Sequence, residues 1–171
     1  MKRTFIFLTL LLTTVLTLSA QSLNGTWRTF FDDQSNPHGY FLYYTFSGSS
    51  SVTVKMTMRA NDESVGVLDI SVTWKGTYQR SGNTLDIKLE WDKPQSNVDN
   101  AVWSKDMALE FHRNPGMEEL TRALISEKML EGIKDQSDFI SHTYSILDLQ
   151  QEVLMLKQKD EVITFVRMKN R

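Results

Sequence analysis

The chain has no cysteine, few prolines and no cluster of basic residues, and each of these absences excludes a class of protein. With no cysteine in 171 residues, a disulfide framework, a thiolate metal site and a lipid on an N-terminal cysteine are all excluded. The 19 basic and 21 acidic side chains are mixed along the chain and give a net charge of −2. Nucleic acids and anionic lipids are bound through dense cationic patches, so neither is expected as a partner.

Motifs for catalysis and cofactor binding are missing as well. His38, His112 and His142 are too far apart to form a zinc-binding pair on one helix. The paired acids at 62–63, 118–119 and 160–161 fall in predicted turns or in the first turn of a predicted helix, where solvation and the helix dipole account for them. The sequence also has no nucleophile elbow, phosphate loop or dinucleotide fingerprint. We therefore expect a protein that is not an enzyme and binds no cofactor or metal.

Long apolar runs are absent except at the start of the chain. Lys2 and Arg3 precede an apolar run over 5–18, and the small residues Ser19 and Ala20 follow it. This pattern is typical of a secretory signal peptide, cleaved here after Ala20. The run is shorter than the roughly 20 residues that span a bilayer, so an uncleaved anchor is the weaker alternative. We expect a signal peptide over 1–20 and one exported domain over 21–171, periplasmic or extracellular, with no stable membrane insertion after cleavage.

Alternation of apolar and polar residues dominates the rest of the chain and predicts strands. Three segments place apolar side chains on one face: Val52, Val54, Met56 and Met58; Leu68, Ile70, Val72 and Trp74; and Leu85, Ile87, Leu89 and Trp91. A period of two residues is that of a strand with one buried face. Met107, Leu109 and Phe111 repeat the pattern, and further strands are predicted over 139–149, 153–157 and 162–168.

One segment near the middle of the chain has the pattern of a helix. Asn114 is the predicted N-cap and Pro115 the first helical residue of a helical insertion over 114–134, with a break near Ser126. The strand over 40–46 is apolar on both faces, and the insertion is a candidate cover for its outer side. We expect the insertion to pack on the outside of the β fold or across one of its ends, because its two apolar stripes need cover.

About six strands, the insertion and three more strands, joined by short connections, predict a mainly β fold. We expect an antiparallel up-and-down meander that closes into a barrel, because closure removes the unpaired edges of a twisted sheet. A sandwich of two sheets is the alternative.

The phrase Leu-Asn-Gly-Thr-Trp at 23–27 resembles the G-x-W signature of lipocalins and of the wider calycin superfamily. Phrases at 76–87 and 144–156 are similar to bacterial secreted lipocalin-like domains. The resemblance implies that Trp27, after Gly25, plugs one end of the barrel beneath a basic residue of the last strand, here Arg167. This is a structural role, in which the indole ring attracts the cation. An ordinary core tryptophan is the alternative.

The apolar interior is the candidate binding site. The predicted inward residues are Met56, Met58, Trp74, Trp91, Met107 and Phe111. Thioethers and aromatic rings line pockets as readily as they fill cores, so a small hydrophobic or amphipathic ligand and plain core packing both remain open. The other functional expectation is a protein partner, in an interaction or inhibitor module that uses the helical insertion and the 100–105 loop with Trp103.

Overall fold

Nine strands and two helices form the described part of the chain, which is residues 22–33, 36–133 and 142–169 of a computed structural model. The strands are β1 (Gly25–Asp33), β2 (Asn36–Ser47), β3 (Ser51–Asp62), β4 (Gly66–Ser81), β5 (Thr84–Leu89), β6 (Gln95–Trp103), β7 (Thr143–Leu149), β8 (Val153–Gln158) and β9 (Glu161–Arg167). The helices α1 (Lys105–Arg113) and α2 (Met117–Ile133) lie between β6 and β7. The predicted signal peptide and the side chain of His38 lie outside the described residues.

Eight of the strands close into an antiparallel barrel. The ring runs β1, β2, β3, β4, β5, β7, β8, β9, and β9 pairs back onto β1 at Trp27 and Arg28. The predicted antiparallel barrel with a helical insertion is therefore confirmed. The sandwich alternative is excluded, because the β3–β4 and β1–β9 pairings leave no break that would divide the strands into two sheets.

The strand β6 departs from a simple meander, because it pairs back onto β4. The first half of β4 pairs with β6, from Gly66 opposite Trp103 to Thr73 opposite Gln95. The second half pairs with β5, from Gly76 to Ser81. Strands β5 and β6 thus lie end to end beside β4, and α2 packs against β6. The contact is apolar, because Ile125 and Met129 of α2 pack on the cluster that includes Val98 of β6.

The core follows the predicted alternation. Val54, Val72 and Trp74 are fully buried, as are Leu85 and Phe165. Along β3 and β4, buried and more exposed side chains alternate over much of each strand, so each contributes one apolar face to the interior. A second, smaller cluster of Leu68, Ile70 and Val98 lies between the sheet and α2.

The predicted strand over Met107, Leu109 and Phe111 is wrong, because these residues belong to α1. Ser104 caps that helix, accepting a hydrogen bond from the Met107 amide at 3.3 Å, and Asp106 lies in its first turn. Three alternating apolar residues are too few to outweigh a cap and favourable end charges. The sixth strand is instead β6, so the predicted 100–105 loop is for the most part strand.

The second helix also differs from the expectation in two respects. Asn114 is the C-cap of α1, not the N-cap of α2, which begins at Met117 after a turn. There is no break at Ser126, and α2 is continuous to Ile133. One of its apolar stripes packs on the barrel, while Leu120 and Leu124 are 62% and 58% exposed. The continuous helix α2 thus carries two apolar stripes, one packed on the barrel and one exposed.

The outer side of β2 is not the place where α2 packs. The outward rings of β1 and β2 contact one another, with Phe30 5.0 Å and Tyr43 6.3 Å from Phe41 between ring centroids. The Arg28 guanidinium lies over the Phe41 ring at 5.1 Å. These mutual contacts account for the apolar outer face of the strand.

No helix of the described residues is long and apolar enough to cross a membrane.

Candidate functional site

One end of the barrel is closed by Trp27. The indole is fully buried, and the Arg167 guanidinium lies over its ring at 4.3 Å from the ring centroid. The two residues are direct neighbours in the β1–β9 pairing. Gly25 has a φ of +122°, a conformation that side-chain-bearing residues rarely adopt. The glycine therefore allows the chain to turn into β1 next to the guanidinium.

Hydrogen bonds hold this closed end to the segment before β1. The Trp27 Nε1–H donates to the Leu23 carbonyl at 2.7 Å. Arg167 donates from Nη1 to the Asn24 carbonyl at 3.1 Å and from Nη2 to the Ser22 carbonyl at 2.8 Å. These contacts join the first and last strands, and the 4.3 Å approach leaves no room for a ligand between ring and cation.

The other end of the barrel contains an interior cavity of about 30 Å³. Among the described residues, the lining includes Phe31, Tyr40, Leu42, Tyr44, Met56, Trp74, Ile133, Tyr144, Gln158, Glu161 and Ile163. Because Glu161 is exposed, the cavity reaches the surface at this end. A volume of this size holds about one or two ordered waters.

A pair of tyrosines crosses the cavity. The hydroxyls of Tyr44 on β2 and Tyr144 on β7 lie 3.1 Å apart, and either can donate to the other. Both residues are 1% exposed, and the Tyr44 ring stacks on Phe165 at 5.0 Å. Burial, followed by the neighbouring Tyr144, raises the pKa of Tyr44 well above its usual value. Burial also raises the pKa of Tyr144, so both hydroxyls remain protonated at neutral pH.

Trp74 lines the cavity and carries a buried polar group. The residue is fully buried, and its Nε1–H has no hydrogen-bond partner among the described residues. Buried N–H groups are nearly always paired, and leaving one unpaired costs about 1–3 kcal/mol. The barrel therefore contains an unsatisfied donor on a residue that lines its cavity.

The structure brings together only some of the predicted site residues. Met56 and Trp74 line the cavity, and Trp91 packs on Trp74 with ring centroids 5.3 Å apart. Met58 packs between the two core clusters and lines a groove on the outer surface. Met107 and Phe111 lie on α1, where the Phe111 ring contacts Trp103 at 4.9 Å.

The sequence analysis did not identify Tyr44, Tyr144 or Ile133 as residues that line the cavity. Tyr44 lies on β2, whose apolar residues occupy both faces, so alternation alone does not say which ring points inward. Its partner Tyr144 is 100 positions away in the chain. The signal that was available is that Tyr40, Leu42, Tyr44 and Phe46 share one face. Ile133 was not predicted either, because it enters the barrel from α2.

The Trp103 side chain is anchored within the protein. Its Nε1–H donates to Glu118 at 2.9 Å, and Arg122 lies over its ring at 5.3 Å. Arg122 also pairs with Glu118 at 2.8 Å and donates to the Val98 carbonyl at 3.1 Å. These contacts fasten α2 to β6.

A groove of about 500 Å³ crosses the outer surface over β2, β3, β4 and β6. Its charged side chains are already paired with one another or with neighbours. Arg59 donates to Asp69 at 2.7 Å, and Lys55 donates to Asp99 at the same distance. The Arg59 hydrogen bond lowers the pKa of Asp69. The groove is larger than the interior cavity, but its charged groups already have hydrogen-bond partners within the protein.

Comparison with known proteins assigns no family. No family model matches the chain, and no curated protein matches it. Among solved structures, the chain is similar to the crystal structure of an uncharacterized protein from Bacteroides eggerthii DSM 20697, with 13% identity and a TM-score of 0.39. The match covers 86% of this chain and 100% of that one. A similarity at this level identifies neither a family nor a function.

Proposed function

We propose that this protein is a non-enzymatic, exported lipocalin-like barrel that binds one small hydrophobic or amphipathic molecule at the open end of its interior. The observation that carries the proposal is the cavity, which is lined mainly by aromatic and aliphatic side chains and includes the hydroxyl pair of Tyr44 and Tyr144. An apolar pocket with a few convergent polar groups is the usual form of a small-molecule site.

The cavity must enlarge to accept anything bigger than water. Two of its lining residues allow this. Met56 is an unbranched thioether that repacks readily. Ile133 belongs to α2 and not to the hydrogen-bonded barrel wall, so it can be displaced without breaking a strand pairing. Ligand binding is therefore expected to move the end of α2 more than the barrel.

The proposal is tested with N-phenyl-1-naphthylamine, an apolar dye whose emission rises in a dry site. We expect one dye per chain, a change in tryptophan emission from Trp74 and Trp91, and a melting temperature that rises with dye concentration. Ile163→Phe adds bulk to the cavity lining and should weaken dye binding about tenfold or more, because an overfilled pocket excludes the ring.

The matched control is Leu120→Gln, which removes an exposed apolar side chain from α2. This variant should bind the dye like the wild type if the site is the barrel interior. If Leu120→Gln abolishes binding and Ile163→Phe leaves it unchanged, the dye binds the helix surface and the proposal is wrong.

A second candidate function is a protein-interaction module. The observation that favours it is the exposed apolar stripe of Met117, Leu120 and Leu124 along α2. Trp103 is not available for this role, because it is partly buried and hydrogen-bonded to Glu118. The stripe alone does not identify a partner, so the cavity is the better supported site.

A further inference from the structure

The pairing between the first and last strands of the barrel stops part of the way along both of them. It ends with Arg28 of β1 opposite Val166 of β9. Both strands continue, β1 over 29–33 and β9 over 161–165, but these two described segments do not pair with each other. Strand β1 remains paired with β2 as far as Asp33, so its second half is a formed strand and not a frayed end.

The interior cavity lies beside this unpaired part of the wall. In an antiparallel pair with Arg28 opposite Val166, continuing the register would place Phe31 opposite Ile163. Both of these residues line the cavity. They are only partly buried, whereas Trp27, in the paired part of the same two strands, is fully buried. The barrel wall is therefore open between β1 and β9 at the level of the cavity.

From these observations we infer that the small molecule enters and leaves the interior sideways, between 29–33 of β1 and 161–165 of β9. These two segments are named the β1–β9 seam. The inference rests on the proposed function and specifies the route to that site. Passage between paired strands would break backbone hydrogen bonds of the barrel, whereas widening the seam breaks none between β1 and β9.

The other short pairing in the ring does not offer the same opening. Strands β5 and β7 pair over Thr84–Asp86, but backbone hydrogen bonds extend this contact at both ends. The Ile87 amide donates to the His142 carbonyl at 3.2 Å, and the Ile146 amide donates to the Asn83 carbonyl at 2.6 Å. The contact between β5 and β7 is therefore continuous where that between β1 and β9 is interrupted.

The chain contains no cysteine, so two introduced thiols can lock the seam reversibly. Phe30→Cys with Thr164→Cys places them at positions that would be opposite if the register continued. Both side chains are exposed on the outer face, so the cavity lining is unchanged. The matched control is Arg28→Cys with Val166→Cys, at positions that are already paired. A disulfide needs Cα atoms within about 7 Å, so a short bis-maleimide bridges any pair of thiols that does not oxidise.

Stopped-flow fluorescence of N-phenyl-1-naphthylamine with the full chain measures the rates of dye binding and release. We expect the bridge across the seam to slow both rates by about tenfold or more and to change Kd little, because a blocked route raises the barrier without altering the bound state. Reduction of the disulfide should restore both rates. The control bridge, in the paired part of the wall, should leave them unchanged.

The outcomes separate this inference from the proposed function. If the dye binds the wild type and the seam-bridged variant at the same rates, it enters by another route, and the inference is overturned while the interior site stands. The same holds if the control bridge slows the rates equally, or if the seam bridge weakens Kd without slowing release. If the dye binds neither protein, the proposed function fails and the inference fails with it.

Discussion

Arg167 makes three contacts at the closed end of the barrel, one with the Trp27 ring and two with backbone carbonyls. Arg167→Met removes all three and should lower the free energy of unfolding by about 1–3 kcal/mol. Arg167→Lys should lower the free energy of unfolding by about half as much, because an ammonium group cannot stack on the ring and bind two carbonyls at once. Urea unfolding of the purified variants measures both values.

Lys169→Met provides the control for that comparison. Lys169 lies two residues further along and pairs with Glu152 at 3.3 Å, with 85% of its side chain exposed. Exposed pairs of this kind contribute little, so the variant should stay within about 0.5 kcal/mol of the wild type. If Arg167→Met is equally harmless, the guanidinium does not stabilise the closed end.

The end of α2 contributes to the barrel core, since Ile133 is 7% exposed and belongs to the main core cluster. Ile133→Ala should lower the free energy of unfolding by about 2–4 kcal/mol, since it removes buried methyl groups and enlarges the cavity. The enlarged cavity should also bind the apolar dye more tightly. Urea unfolding and dye titration measure the two effects.

Leu124→Ala is the comparison within the same helix, because Leu124 is 58% exposed. Leu124→Ala should lower the free energy of unfolding by no more than about 0.5 kcal/mol and should leave dye binding unchanged. Equal losses for the two variants would mean that the end of α2 does not close the barrel.

The elements that could be predicted from the sequence are those whose local pattern agrees with their final environment. Strands β3, β4 and β5 alternate cleanly because one face is buried along most of their length. Strand β6 reads Gln-Ser-Asn-Val-Asp-Asn-Ala-Val-Trp and was missed, because its few apolar residues pack against α2 and not in the barrel. Its pairing with β4 is a tertiary contact without a local signal.

The candidate site was predictable only in part for the same reason. Met56 and Trp74 were found because alternation assigns a strand residue to the interior. The pairing of Tyr44 with Tyr144 depends on how eight strands close into a ring, which no short segment encodes. That Trp74 Nε1 has no partner among the described residues likewise becomes visible only in the folded chain.

At the scale of the whole molecule, the tyrosine pair joins β2 and β7 across the interior, and its protonation links barrel stability to alkaline pH. Burial raises the pKa of Tyr44 and of Tyr144 in the folded chain, whereas in the unfolded chain each titrates near its usual pKa of about 10. Above that pH the unfolded state binds fewer protons than the folded state, so stability falls as pH rises.

We therefore predict that the free energy of unfolding decreases between pH 9 and pH 11 with a component of about 1.4 kcal/mol per pH unit above 10 for each buried tyrosine that stays protonated. A Tyr44→Phe, Tyr144→Phe double variant should lose this component and show a shallower decrease, whatever its stability at pH 7. Tyr43→Phe, on the outer face of the same strand, should keep the slope of the wild type. Urea unfolding at several pH values gives the three slopes. Equal slopes for the wild type and the double variant would show that the pair ionises as readily in the barrel as in the unfolded chain, and would contradict the raised pKa of the two hydroxyls.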